Sequence, residues 1–419
     1  MGTKKVAIAC QGGGTHAAFT WGVLTEILQT KKLWDASRDG GERFDIVAIS
    51  GTSAGALCAL ATWYGLVPNT ADAQCGTLDK AIERLDHLWT TFAAATPVET
   101  AHNQMMNNLM QLAAKGMPLP ASNPYGPYGK VGLAGLAMMG VRPEYLGFAA
   151  LLESLCPHFE TIDWPAVLKA NVRIMVGAIE ILSGNFEVFD SDKTLEQLGL
   201  HPGGAKIDQY ETHRWRMRRA ISLEGVAASG TLPEILPAQV IPDTVFPTLQ
   251  PGKTITRNAH YWDGLYSQNP PVRDLLDAEN KDEKPDEIWV VRINPQEIDP
   301  TSLSLGLDTI RDRENDLAGN LSLNQELDHI LTINRWIEQF GEQHPPLRNR
   351  KIVTVRTIKM TPETVWGLCH TSKLDRSPIH YANLREEGQT VAEEWLANWR
   401  ALGPDFIAYP FDARYPEST

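Results

Sequence analysis

Two short segments near the N-terminus do most to limit how this chain can fold: VAIACQGGGTHAAF, residues 6–19, and DIVAISGTSAGALCALA, residues 45–61. In each, a compact apolar run breaks at a glycine cluster and continues as small-residue, helix-compatible sequence. Val6 to Cys10 reads as a strand, with a helix from Thr15 to Leu33; Asp45 to Ile49 reads as the next strand, with a helix from Ala54 to Tyr64. A crossover through a helix returns the chain in the same direction, so such units predict parallel neighbours in a sheet covered on both faces. The two turns then share the C-terminal edge of that sheet.

The rest of the chain continues the pattern. Leu78 to Phe92 reads as an amphipathic helix, and Asn171 to Ile181 with Asn185 to Phe189 as a hairpin around a Ser-Gly-Asn turn. Glu287 to Ile293 and Lys351 to Ile358 read as strands, and Val391 to Leu402 as a closing helix. Apolar residues at Leu323, Leu327, Ile330, Leu331 and Ile337 predict a helix over 322–340, and the charged AENKDEKPDE, residues 278–287, reads as a surface loop. From Ala101 to Gly140 the rhythm breaks, with Met105, Met106, Met110, Met117, Met138 and Met139 around a Pro- and Gly-rich stretch. Methionines at such spacing ordinarily fill a core, though Met-rich surfaces also suit irregular apolar ligands.

A net charge of −13 argues against nucleic acid as a partner and against strong electrostatic docking on anionic membranes. The local basic group Arg214, Arg216, Arg218 and Arg219 reads as a solvated helix face. Five scattered cysteines without a C-x-x-C pair suit neither a zinc site nor a disulfide framework. With no signal-like h-region and no run long enough to span a bilayer, the expectation is a cytoplasmic protein.

Chemistry concentrates at the two glycine turns. Gly51-Thr52-Ser53-Ala54-Gly55 fits G-x-S-x-G, in which a sharp strand-to-helix turn exposes a nucleophilic serine at a helix N-terminus. The plainer alternative is an ordinary turn whose serine caps the helix. Gly12-Gly13-Gly14 offers outward-pointing amides, for a dinucleotide pyrophosphate (Gly12-x-Gly14-x-x-Ala17) or for the oxyanion of an acyl intermediate. A dinucleotide site needs an acid at the end of the second strand; here that strand runs straight into the serine corner, which favours acyl chemistry. Among eleven histidines, His16, His260 and His380 are candidate bases by position alone, whereas Asp263-Gly264 closes a strand and could present its carboxylate directly to a serine.

In these blocks and their order the chain resembles the patatin-like phospholipases. Gly12-Gly13-Gly14-Thr15-His16-Ala17 is similar to that family's oxyanion loop, Ser53 sits where its nucleophile sits, Ala228-Ser229-Gly230-Thr231-Leu232-Pro233 matches its A-S-x-x-x-P block, and Asp263-Gly264 with Asn269-Pro270 its aspartate block. His16, Ala17 and Leu265 depart from the family's usual Arg or Lys, Gly and small residue. The resemblance implies a three-layer α/β fold and a serine acyl hydrolase of phospholipase or esterase type. Its catalytic dyad would be Ser53 and Asp263, its oxyanion hole Gly12, Gly13 and Gly14, with no metal or cofactor. It further implies a catalytic unit over residues 1–275, with 276–419 an extension packed on the same core. The substrate would be a lipid or other acyl ester, met at a membrane surface or free; by its Met-, Pro- and Gly-rich composition alone, Ala101 to Arg142 reads as the lid or acyl-pocket wall. A polyester depolymerase or acyltransferase would use the same residues; a dinucleotide oxidoreductase and a non-catalytic scaffold are the remaining alternatives.

Overall fold

The protein is described by a computed structural model covering residues 3–408, apart from residues 38, 70–74, 115–116, 118–126, 201–215, 234, 249, 251, 278–280, 298–306 and 342. The strands are β1 (Thr3–Cys10), β2 (Arg43–Gly51), β3 (Arg173–Glu180), β4 (Asn185–Asp190), β5 (Arg216–Ala220), β6 (Gln239–Pro247), β7 (Thr254–Asp263), β8 (Glu287–Arg292) and β9 (Thr354–Lys359). They form one sheet in the order β5-β4-β3-β2-β1-β8-β9, to which the β6–β7 hairpin attaches through β7 against β3. β1 pairs in parallel with β2 and β8, as do β2 with β3 and β8 with β9. The expected hairpin is β3–β4, antiparallel.

Successive residues of β1 enter different cores. Val6, Ile8 and Cys10 pack with the helices Ala18–Ala36, Ala54–Leu66, Leu78–Phe92 and Pro378–Leu402; Ala7 and Ala9 face Leu323, Leu327 and Ile330 of the long helix Leu307–Phe340. This two-residue period, apolar on both faces, makes three layers from one strand sequence. Helices Ala18–Ala36 and Pro378–Leu402 touch backbone to backbone: a Cβ on Gly22 would stand 2.0 Å from Arg385 O, and one on Gly388 2.2 Å from Phe19 O. Trp395 and Trp399 of the C-terminal helix pack on Trp289 of β8 with ring centroids 4.9 and 5.4 Å apart.

Several expectations need correction. The arginine group is not a solvated helix face: Arg216 to Arg219 lie in β5, where Arg216 pairs with Asp274, Arg218 with Asp190 and Arg219 with Glu187; Arg214 lies outside the described residues. The stretch read as a surface loop ends in a buried carboxylate, because Glu287 Oε2 accepts from Trp289 Nε1, Trp399 Nε1 and Arg356 Nε at 2.9, 2.9 and 3.1 Å. Met105, Met138 and Met139 are not core; their exposures are 52, 89 and 59 %. The closing helix begins at Pro378 rather than Val391. Among the described residues, no helix is long and apolar enough to cross a membrane.

Candidate active site

The register Cys10↔Gly51 sets the ends of β1 and β2 side by side, which brings the glycine loop against the serine corner. A Cβ on Gly12 would meet Thr52 O at 2.5 Å and Ser53 Cβ at 2.7 Å, so this approach admits only glycine. Ser53 has φ 57° and ψ −132°, a conformation that costs a non-glycine residue about 1–3 kcal/mol. Its side chain makes no capping bond to the helix Ala54–Leu66 that starts next to it. An ordinary N-cap serine adopts β-region dihedrals and spends its oxygen on the first turn. Ser53 does neither, so the plain-turn alternative does not describe this corner.

Three groups hold the elbow. Ser53 N donates to Ser229 Oγ at 3.0 Å, and Ser229 Oγ donates onward to Gly177 O at 2.6 Å. Asp263 N donates to Thr231 O at 2.9 Å, so the same Ala228–Pro233 block fixes both the serine and the aspartate backbones. Asp263 is fully buried; its Oδ1 accepts from Leu265 N at 2.8 Å, and its Oδ2 has no partner within hydrogen-bond geometry. Burial pushes the carboxyl up to about 7, against the opposing pull of the Ser53 hydroxyl and the Leu265 amide. A buried carboxyl raised to about 7, beside a hydroxyl that does not cap its own helix, can exchange a proton with that hydroxyl.

The glycine loop divides its labour. Gly12 N donates to Asn269 Oδ1 at 2.7 Å, so that amide is committed to the protein. Gly13 and Gly14 open the short 3-10 turn Gly14–Ala17, where N–H groups have no partner within the helix. Gly14, at φ 61°, lies under the backbone of Lys373, whose carbonyl would stand 2.3 Å from an added Cβ. His16 does not face the site. It is 3 % exposed, and burial with the nearby Lys373 holds it well below the ordinary histidine range. Its Nε2 lies 2.7 Å from Ser372 Oγ, which already donates to Cys369 O at 2.7 Å, so the neutral His16 ring is the donor.

Ser53, Asp263 and Gly12 to Gly14 line one cavity of about 400 Å³. Its lining combines apolar Met110, Leu232, Ile235 and Leu265 with polar Glu314, Asn315, His370 and Lys373. His16, His260 and His380 are absent from that lining. Among the described residues of the Met-rich stretch Met110 alone reaches it; residues 115–116 and 118–126 lie outside the described residues. The polar lining and, besides Asn269, the loop's supports come from the C-terminal third. Gln11 Oε1 accepts from Ile293 N and Asn294 N at 3.0 and 2.9 Å, Gln11 Nε2 donates to Asn320 Oδ1 at 2.9 Å, and Asn294 Nδ2 to Gly12 O at 2.9 Å. Sequence spacing marks none of these partners; the one hint is asparagine at 315, 320 and 324 in an otherwise periodic helix. Among the described residues, no cluster of His, Cys, Asp and Glu could hold a metal ion.

The family sequence model described as patatin-like phospholipase matches residues 8–276, well over half of the chain and every block that builds this cavity up to Asn269. No curated protein matches the chain. The chain belongs to the patatin-like phospholipase family, whose members hydrolyse lipid esters.

Proposed function

We propose that the protein is a serine acyl hydrolase in which Ser53 and Asp263 form the catalytic dyad and the Gly13 and Gly14 amides hold the oxyanion. The observation that carries this reading is the meeting, in one cavity, of an uncapped serine hydroxyl and a buried carboxyl with its midpoint near 7. Asp263 takes the Ser53 proton as Oγ bonds to the ester carbonyl carbon. The carbonyl oxygen gains negative charge beside the free amides and the N-terminus of helix Ala54–Leu66. Collapse breaks the ester bond, and the leaving alcohol takes the proton back from Asp263. Water then attacks the acyl-serine with Asp263 again as base, releasing the carboxylic acid and restoring Ser53.

In this reading Gly12 contributes shape, not its amide, since Asn269 occupies that amide. The apolar lining at Met110, Leu232, Ile235 and Leu265 takes the acyl chain, with the helix Pro97–Ala114 as its cover. The acyl hydrolase unit is residues 1–275, and residues 276–419 are an extension packed on the same core, a packing supported by β8 and β9 completing the sheet beside β1 and by the extension's residues in the cavity lining. The test is acid release from medium- and long-chain esters by the wild type, Ser53→Ala and Asp263→Asn. Turnover by the wild type and its loss in both variants is the expected result; a fully active Ser53→Ala overturns the reading.

A further inference from the structure

At the opposite edge of the sheet from Ser53 lies a second cavity, of about 80 Å³. It opens between the long helix, the turn Arg273–Leu276 and the segments that lead into β8 and β9. Among the described residues its wall carries Arg273, Lys284, His329, Arg350 and Lys351 against one acid, Asp277. This runs against the composition of a chain with 51 acidic and 38 basic residues.

The two lysines are engaged. Lys284 Nζ donates to Leu276 O at 2.6 Å, and Lys351 Nζ to Asp286 Oδ1 at 2.9 Å. The Arg273 and Arg350 side chains and the His329 ring make no hydrogen bond or ion pair among the described residues. Arg273 is held there by its backbone: the Val272 and Arg273 amides donate to Glu326 Oε2 at 2.7 and 3.0 Å. Partial burial, with Arg273, Arg350 and Arg216 nearby, holds His329 below the ordinary histidine value despite the adjacent Asp328.

Arg273 is half-buried while Arg350 and His329 are exposed, so solvent screens their repulsion in part, and an anion seated between the two guanidiniums would still be attracted by both. The void has room for several waters and therefore for one tetrahedral oxyanion, not for a nucleoside. Guanidinium forks fit such an ion in a bidentate fashion, and a histidine ring supplies one further donor. We propose that this cavity is a binding site for a phosphoryl dianion, held between Arg273 and Arg350 with His329 as the third donor. The site is independent of the dyad, and its ligand is either a soluble phosphate or the phosphomonoester head group of a lipid.

The test is titration of the full chain with inorganic phosphate at constant ionic strength. Saturable heat of binding and a rise in Tm are expected, unchanged in Ser53→Ala, so the outcome is separable from that of the hydrolase reading. Arg273→Gln and Arg350→Gln should each weaken binding by about tenfold or more. In the wild-type protein, whose folding is not at issue, the His329 ring should titrate at higher pH with phosphate bound. Sedimentation with phosphatidic acid vesicles, but not phosphatidylcholine vesicles, that is lost in the double variant assigns the ligand to a lipid head group. Phosphate binding without vesicle binding assigns it to a soluble ion. Absence of saturable binding to both, or binding retained by the folded double variant, overturns the proposal.

Discussion

Asn269 grips Gly12 through both ends of its carboxamide: Oδ1 accepts from Gly12 N at 2.7 Å, and Nδ2 donates to Gly12 O at 3.3 Å. The grip fixes the first glycine of the loop against Ser53 and commits its amide to the protein, so the proposed oxyanion donors are the next two. Asn269→Ala removes both bonds and strands a buried N–H, which costs about 1–3 kcal/mol of stability. Loss of loop alignment should lower kcat by about 10- to 100-fold with little change in KM, since an oxyanion forms only during reaction. Steady-state kinetics beside urea denaturation separate the two effects.

The Asp263 carboxyl carries a signed pH dependence. Burial raises its midpoint from the unfolded 3.8 to about 7 in the folded protein. Between these values the folded state holds a proton that the unfolded state has lost, so stability is full below pH 4 and falls as pH rises through 7. Asp263→Asn removes that loss. The variant should match the wild type near pH 4 and exceed it at pH 8, by up to about 4 kcal/mol from a shift of this size. Activity runs the other way: the base must be ionised, so wild-type turnover should rise with a midpoint near pH 7.

Much of the fold is legible where the pattern is local. β1, β2, β8 and the helix Leu78–Phe92 follow from apolar runs, glycine punctuation and a clean 3.6-residue stripe. β5 is not legible, because its arginines look solvated until Asp190, Glu187 and Asp274 arrive from other segments to pair with them. The same holds at the site. Ser53, Asp263 and the glycines stand out as motifs, and the structure brings them to one cavity. The partners Asn294, Asn320 and Lys373 lie far along the chain and obey no spacing rule. Nor can residue order show how deeply Asp263 is buried, which sets its midpoint.

Lys373 donates to Asp316 Oδ1 at 2.9 Å, and both side chains are nearly closed to solvent. Lys373→Met removes this buried ion pair and should lower stability. Urea denaturation at pH 7.5 should report that loss. His16→Gln should leave the pH profile of turnover in place, because His16 is buried and neutral and faces Ser372, not the cavity.

The glycine loop also distinguishes an oxyanion hole from a dinucleotide site by ligand. NAD, NADP, FAD and ATP at millimolar concentration should leave Tm unchanged. A true nucleotide site at a thousandfold excess over its Kd would add about 4 kcal/mol, a shift of several degrees. A covalent phosphonate should raise Tm in the wild type and leave Ser53→Ala where it was.

The dyad is tested most directly by the rate of fluorophosphonate labelling, with the modified residue mapped by mass spectrometry, in the wild type and in Asp263→Asn across pH 5–9. One adduct is expected, on Ser53 and not on Ser222 or Ser229. Its rate should rise through a midpoint near 7 in the wild type and stay flat and several orders of magnitude lower in Asp263→Asn, as when the base of a nucleophile is removed. An adduct on another serine, or an Asp263→Asn protein labelled at Ser53 as fast as the wild type, would contradict it.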